Sequence, residues 1–307
     1  MSLLIPTQQD YKDARQGYER LPVYKEKHDQ LVKQGKIKWK FEVVPGFFKQ
    51  SDNDTDDLQF NYATNDFGIM KPWNQIIDEL NQLNGSSDEK YKLLFLARHG
   101  QGYHNVVVSK YGSEAWRNKW HNLGVDGDII YGPDPELTPL GISQAEENNQ
   151  VWHQQVKNGC PVPTKYYASP LQRSSMTMVV SMKDIWPENR QVIVSEKIRE
   201  IIGFHLCNKR SSKDTILERF GKYGFETEDG FSEVDELYND EEETFDDNCI
   251  RVESFLEDLW EVDDKVINVT SHGGTIKCFL AVLGHRNFTI STGGMIPVVV
   301  KGSRVNS

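Results

Sequence analysis

The sequence predicts an α/β fold built on a mostly parallel sheet, and three features predict it. Short apolar runs such as Leu93-Leu94-Phe95-Leu96-Ala97 and Val266-Ile267-Asn268-Val269-Thr270 stop just before glycine-bearing segments, the pattern of strands buried on both faces. From Tyr91 onward these runs alternate with longer stretches of helical periodicity. Two of those stretches open with a hydroxyl residue followed by proline, Thr138-Pro139 and Ser169-Pro170, which is good start chemistry for a helix.

Taken in order, residues 1–90 lack this rhythm. They begin charged and amphipathic, alternate like a strand over 39–44, pass a polar tract over 51–59 and reach a loop at 84–90. We read them as an amino-terminal extension packed on a core domain of residues 91–307. Within that domain strands are predicted at 93–97, 165–168, 191–194, 266–270 and 296–301, and helices at 139–157, 170–183, 244–260 and 274–283. The acidic tract over 226–247 reads as a solvated loop and helix start, the usual fate of such runs.

Charge and cysteines bound the function. In 307 residues, 46 acidic against 35 basic side chains give a net charge of -11, which argues against a nucleic-acid or anionic-membrane partner because both need a basic footprint. No window approaches the length of a membrane span and the start lacks a signal-peptide pattern, so a soluble cytoplasmic protein is expected, with the nucleus also open to it. Cys160, Cys207, Cys249 and Cys278 are widely spaced without a CxxC pair, which favours reduced thiols over disulfides or a zinc site.

The chemistry lies at strand ends. Arg98-His99-Gly100 follows the first apolar run and Ser271-His272-Gly273-Gly274 follows another. In an open α/β sheet ligands bind beyond the carboxyl ends of the strands, so both imidazoles should reach one mouth. Attack on phosphorus needs a group that is neutral and basic near pH 7, which makes His99 the candidate nucleophile. Arg98 and Arg173 can clamp phosphate oxygens with planar forks. The helix opening at Gly273-Gly274 offers backbone donors and a dipole end, and His272, among anionic oxygens, is expected to stay protonated as a donor. Glu200, flanked by Ile198, Ile201 and Ile202, is a carboxylic acid able to protonate a leaving oxygen. Each residue alone has a plainer reading: a core histidine, a surface arginine, a surface acid. Trp116, Trp120 and His121 read as packing.

The run Leu96-Ala97-Arg98-His99-Gly100-Gln101-Gly102-Tyr103-His104-Asn105 resembles the signature of the histidine phosphatase superfamily, also called phosphoglycerate-mutase-like. Three further blocks match in the family's order: 134–145, 169–177 and 271–274. The resemblance implies a three-layer α/β/α sandwich, a phosphohistidine on His99, phosphate contacts from Arg98, Arg173, His272 and Asn105, and neither metal nor cofactor. It also puts Glu200 at the proton-donor position of the glutamate-using branch. The extension and the segment 200–210 resemble fungal phosphomutase-like proteins, whose Cys-Asp-x-Arg pattern appears here as Cys207-Asn208-Lys209-Arg210.

The reading is a metal-independent phosphatase acting on a small anionic phosphorylated substrate. A phosphomutase would share every core residue, although the Tyr-Gly block and Gly-Trp segment of true mutases are missing. A catalytically silent phosphate-binding protein would use the same pocket. A nucleotide-binding oxidoreductase would need a glycine fingerprint that this chain lacks.

Overall fold

The computed structural model describes residues 2–85 and 89–305. In chain order its elements are α1 (Gln8–Asp13), α2 (Leu21–Lys33), β1 (Trp39–Val43), α3 (Trp73–Leu83), β2 (Lys90–Arg98), α4 (Tyr103–Asn118), the short β3 (Val125–Asp126) and β4 (Ile129–Ile130), and α5 (Pro139–Lys157). Then follow β5 (Lys165–Ala168), α6 (Gln172–Ser181), β6 (Val192–Val194), α7 (Lys213–Phe220), β7 (Phe225–Thr227), α8 (Phe245–Glu261), β8 (Val266–Ser271), α9 (Gly273–Val282) and β9 (Met295–Arg304). Seven strands form one sheet in the order β1-β9-β2-β8-β5-β6-β7. Strands β2, β8, β5, β6 and β7 run parallel, and β9 runs antiparallel to both β1 and β2.

The apolar runs are continuous because both faces of the sheet are covered. Along β2, Leu93, Phe95 and Ala97 join one core with Trp73 and Ile76 of α3 and Trp152 of α5. Leu94 and Leu96 join the other with Leu256 and Trp260 of α8 and Ile276 and Phe279 of α9. Alternation by two, with helices on each side, gives the three-layer α/β/α sandwich.

The amino-terminal residues are woven into this body. β1 is an edge strand of the main sheet, α2 packs on α8, and α3 packs on β2. The expected loop at 84–90 is shorter than its prediction: β2 already begins at Lys90, and the Asn84 side chain donates to Tyr91 O and accepts from Tyr91 N, each at 2.9 Å. Residues 86–88 of that loop lie outside the described residues.

Two further expectations are corrected. Thr138 caps α5 as expected, accepting from Gly141 N at 3.1 Å, but α6 starts at Gln172 rather than at 170. Its first amide donates to Asp134 Oδ1 at 2.8 Å, while the Ser169 hydroxyl turns to His272. The acidic tract is not merely solvated. Glu226 lies in β7, Asp235 is bonded to buried Arg199, Glu242 to Arg117 and Glu243 to Arg251. Elements α3, α4, α7, β3, β4 and β7 went unpredicted. Among the described residues no helix is long and apolar enough to cross a membrane, and all four cysteines are free and buried.

Candidate active site

Sheet register decides where the histidines arrive. Arg98 is level with Ser271 across β2 and β8, and Ala168 is level with Thr270 across β5 and β8. The next residue of each strand, His99, His272 or Ser169, therefore emerges at one carboxyl edge. The His99 and His272 rings lie 5.0 Å apart between centroids, inclined at 60°, and both are buried.

His99 Nδ1 is 2.6 Å from Gly100 O, so its N–H donates there and the lone pair sits on Nε2. That Nε2 accepts from Arg173 Nε at 3.4 Å. Burial, then the charges of Arg173 and Arg98, hold the His99 pKa well below 6.5, so the ring is neutral. The backbone can pass this close only because position 100 is glycine: a Cβ there would overlap Gly141 O.

Arg173, in the first turn of α6, is fully buried. Its Nη1 donates to Cys207 O at 2.9 Å and its Nη2 to Asn208 Oδ1 at 3.0 Å. Asn208 in turn donates to Ile201 O at 2.9 Å. Two neutral oxygens thus aim the guanidinium at His99. Arg98 is held by Asp10 Oδ1 at 2.5 Å and Ile290 O at 2.6 Å, while its buried Nε has no protein partner among the described residues.

His272 Nε2 lies 2.7 Å from Ser169 Oγ and 3.2 Å from Ser174 Oγ, and its buried Nδ1 has no partner among the described residues. The expected protonation of His272 belongs to a site that holds anionic oxygens, whereas the protein's own field favours the neutral ring. Burial first, then Arg173, His99 and His104, push its pKa well below 6.5. A Ser169 hydroxyl donating to Nε2 would leave the ring proton on Nδ1, where it can serve as a donor without a full charge.

Glu200 lies beyond the end of β6, half-buried on the wall of a cavity of about 690 Å³ that Arg98, His99, Asn105, Gly273 and Gly274 also line. Its main chain is pinned. Ser271 Oγ donates to Ile198 O and Thr275 Oγ1 to Arg199 O, each at 2.6 Å, and Arg251 Nη1 donates to Arg199 O at 2.9 Å. Asn105, in the first turn of α4, accepts from Gly102 N at 2.9 Å. Gly273 and Gly274 open α9 behind His272 as its N-cap, which turns a helix N-terminus toward the cavity.

Of the eight residues chosen from the sequence, six line one cavity, His99 among them, and Arg173 and His272 lie against His99. Missed were His104, whose ring centroid is 5.5 Å from that of His99, and Asp10. Asn208 was visible only as a departure from a pattern, and Arg210 turns out to be a loop anchor, bonded to Glu196 Oε1 at 2.5 Å and to Val234 O at 2.9 Å. Trp116, read as packing, also lines the cavity, its indole donating to His205 Nδ1 at 3.2 Å. Among the described residues no cluster of three or more His, Cys, Asp or Glu side chains is arranged to hold a metal ion.

The chain is similar to known proteins over most of its length. The family model of the histidine phosphatase superfamily (branch 1) matches residues 94–291. A "Probable phosphoglycerate mutase" of Arthroderma benhamiae is 35% identical over 85% of this chain and 84% of its own. "Phosphomutase-like protein 3" of Candida albicans is 35% identical over 87% and 82%, and "Probable phosphoglycerate mutase PMU1" of Saccharomyces cerevisiae 30% over 84% and 95%.

Proposed function

The chain belongs to the histidine phosphatase superfamily, and from that premise we propose that it is a metal-independent phosphatase of small phosphomonoesters. The observation that carries the reading is His99 itself: a buried neutral imidazole whose Nδ1 proton is spent on Gly100 O, leaving Nε2 nucleophilic beside two arginines.

In this reading His99 Nε2 attacks phosphorus and the bond to the leaving oxygen breaks as Glu200 gives that oxygen its proton. Water then attacks the phosphohistidine, Glu200 takes the water's proton, and inorganic phosphate departs. Arg98 Nε, Arg173, His272, Asn105 and the amides of Gly273 and Gly274 hold the equatorial oxygens, where preorganised donors matter most. The dianion supplies the negative charge that His272 lacks in the protein's own field. Free buried thiols suit a reducing, cytoplasmic setting.

A phosphomutase remains the second reading, favoured by the names of the relatives. It would need to hold a second anionic group near the leaving end. The arginines of the outer wall are already paired with carboxylates, Arg20 with Asp246 and Arg117 with Glu242. That supports hydrolysis. Incubation with simple phosphomonoesters, and separately with 3-phosphoglycerate plus a bisphosphate primer, tests it: phosphate release without isomer exchange is expected, and exchange outpacing release would overturn it.

A further inference from the structure

The two arginines that face His99 are aimed by different means. Arg173 is aimed by neutral oxygens of the core domain, whereas Arg98 is aimed by a carboxylate 88 residues upstream, on the six-residue helix α1. We propose that Asp10 is a positioning residue for Arg98, so that the amino-terminal segment completes the phosphate site rather than decorating it.

Every oxygen of Asp10 is used. Oδ1 accepts from Arg98 Nη1 at 2.5 Å, and Oδ2 accepts from Thr7 N at 2.8 Å and from Thr7 Oγ1 at 2.7 Å. Thr7 accepts from Asp10 N in return, closing a capping box that fixes the carboxylate on its helix. The helix is fixed to the site wall in turn. Arg15, just past its end, donates to Thr289 Oγ1 at 3.0 Å and Asp57 Oδ2 at 2.9 Å, and Lys277 of α9 donates to Asp13 O at 3.1 Å. Ile290, one residue beyond Thr289, supplies the carbonyl that is the second acceptor for Arg98 Nη1. Asp10 and Ile290 thus hold one arm of the fork while its buried Nε stays unpartnered beside Gly273, where a Cβ would lie 3.2 Å from it.

Two effects of the carboxylate oppose each other. Its charge repels a bound phosphate, and its hydrogen bond orients the arginine that attracts one. Orientation should win, because Asp10 is buried against Arg98 and the pair enters the field as a nearly neutral unit. The charge-assisted bonds an aligned guanidinium makes to phosphate are lost if the fork swings away. An asparagine cannot stand in, since its NH2 would face either Thr7 N–H or the Arg98 fork, donor against donor.

This inference rests on the phosphatase reading, and the experiment separates the two. Asp10→Ala, Asp10→Asn, Arg98→Ala and the Asp10→Ala/Arg98→Ala double variant are compared for KM and kcat on p-nitrophenyl phosphate and for competitive inhibition by inorganic phosphate. Asp10→Ala should raise KM and the phosphate inhibition constant together by about tenfold, the size of one charge-assisted contact, with kcat within about threefold. Asp10→Asn, nearly isosteric and gentler on folding, should move both constants in the same direction. In the Arg98→Ala background the Asp10 substitution should add nothing. Unchanged or tighter phosphate binding in both Asp10 variants, with Arg98→Ala still weakened, would overturn the positioning role. So would penalties that multiply in the double variant. If Arg98→Ala itself leaves both constants unchanged, the phosphate-site reading falls and takes this inference with it.

Discussion

A methyl group at Gly274 would overlap the Oε1 of Glu200. The glycine at the start of α9 is therefore what lets the proposed acid lie against the helix N-terminus beside His272. The obstructing atom is the far end of a flexible side chain, so Gly274→Ala should displace the carboxylate at little cost to the fold, helix propensity favouring alanine by up to about 1 kcal/mol. We expect kcat on an alkyl phosphate to fall by about tenfold with the unfolding midpoint almost unmoved. Unimpaired turnover would mean that the position of Glu200 is not used.

Removing the acid itself has a sharper signature. Glu200→Gln keeps the shape but not the proton, and the loss should scale with how badly the leaving group needs protonation. Turnover of glycerol phosphate should drop by about 100-fold or more, that of p-nitrophenyl phosphate far less. Equal losses on the two substrates would make Glu200 a structural residue.

The depressed pKa of His99 sets a pH dependence in the free protein. Burial, Arg173 and Arg98 all disfavour the imidazolium, so the ring must stay neutral as pH falls through 6.5 and take its proton only below that. NMR titration of the His99 ring nitrogens in the absence of phosphate should show its midpoint under 6.5. A midpoint at or above that value would contradict the assigned electrostatics.

Behind the site, Arg199 is fully buried and bonded to Asp235 by two contacts of 2.8 and 2.6 Å, with Glu196 at 3.0 Å. Asp235→Ala strips the bidentate partner and leaves a buried charge short of compensation. Denaturant unfolding should register a loss of about 3 kcal/mol, at the low end for a broken buried pair because Glu196 and Asn208 O remain. A change under about 1 kcal/mol would show that the network tolerates the loss.

The central layer was readable because parallel strands buried on both faces leave unbroken apolar runs, and because a histidine just past each of two such strands can arrive at only one edge. His99 and His272 follow from that alone, whereas Arg173 was reached through the hydroxyl-proline helix start at 169–170, two residues before the observed start of α6. Other parts escaped for definable reasons. α4 is interrupted by Gly112 at φ 82°, which blurs its period; β7 has three residues, one of them Glu226 inside an acidic tract. That tract looked solvated because its partners Arg117 and Arg199 come from other parts of the chain, and Arg251 reaches back to Glu243 from the helix that follows it. β9 resembles a parallel strand in composition but runs the other way, a direction that hydrophobicity does not encode. The bond from Asp10 to Arg98 spans 88 residues and leaves no local signal.

Turnover by the proposed route requires that His99 become phosphorylated. Rapid acid-free quenching of the protein with a 32P-labelled aryl phosphate, followed by peptide mapping under alkaline conditions, measures this directly. An acid-labile, alkali-stable phosphoryl group on the peptide carrying His99, absent in His99→Ala together with all turnover, is the expected result. Label on another residue, or full turnover in the His99→Ala protein, would contradict it.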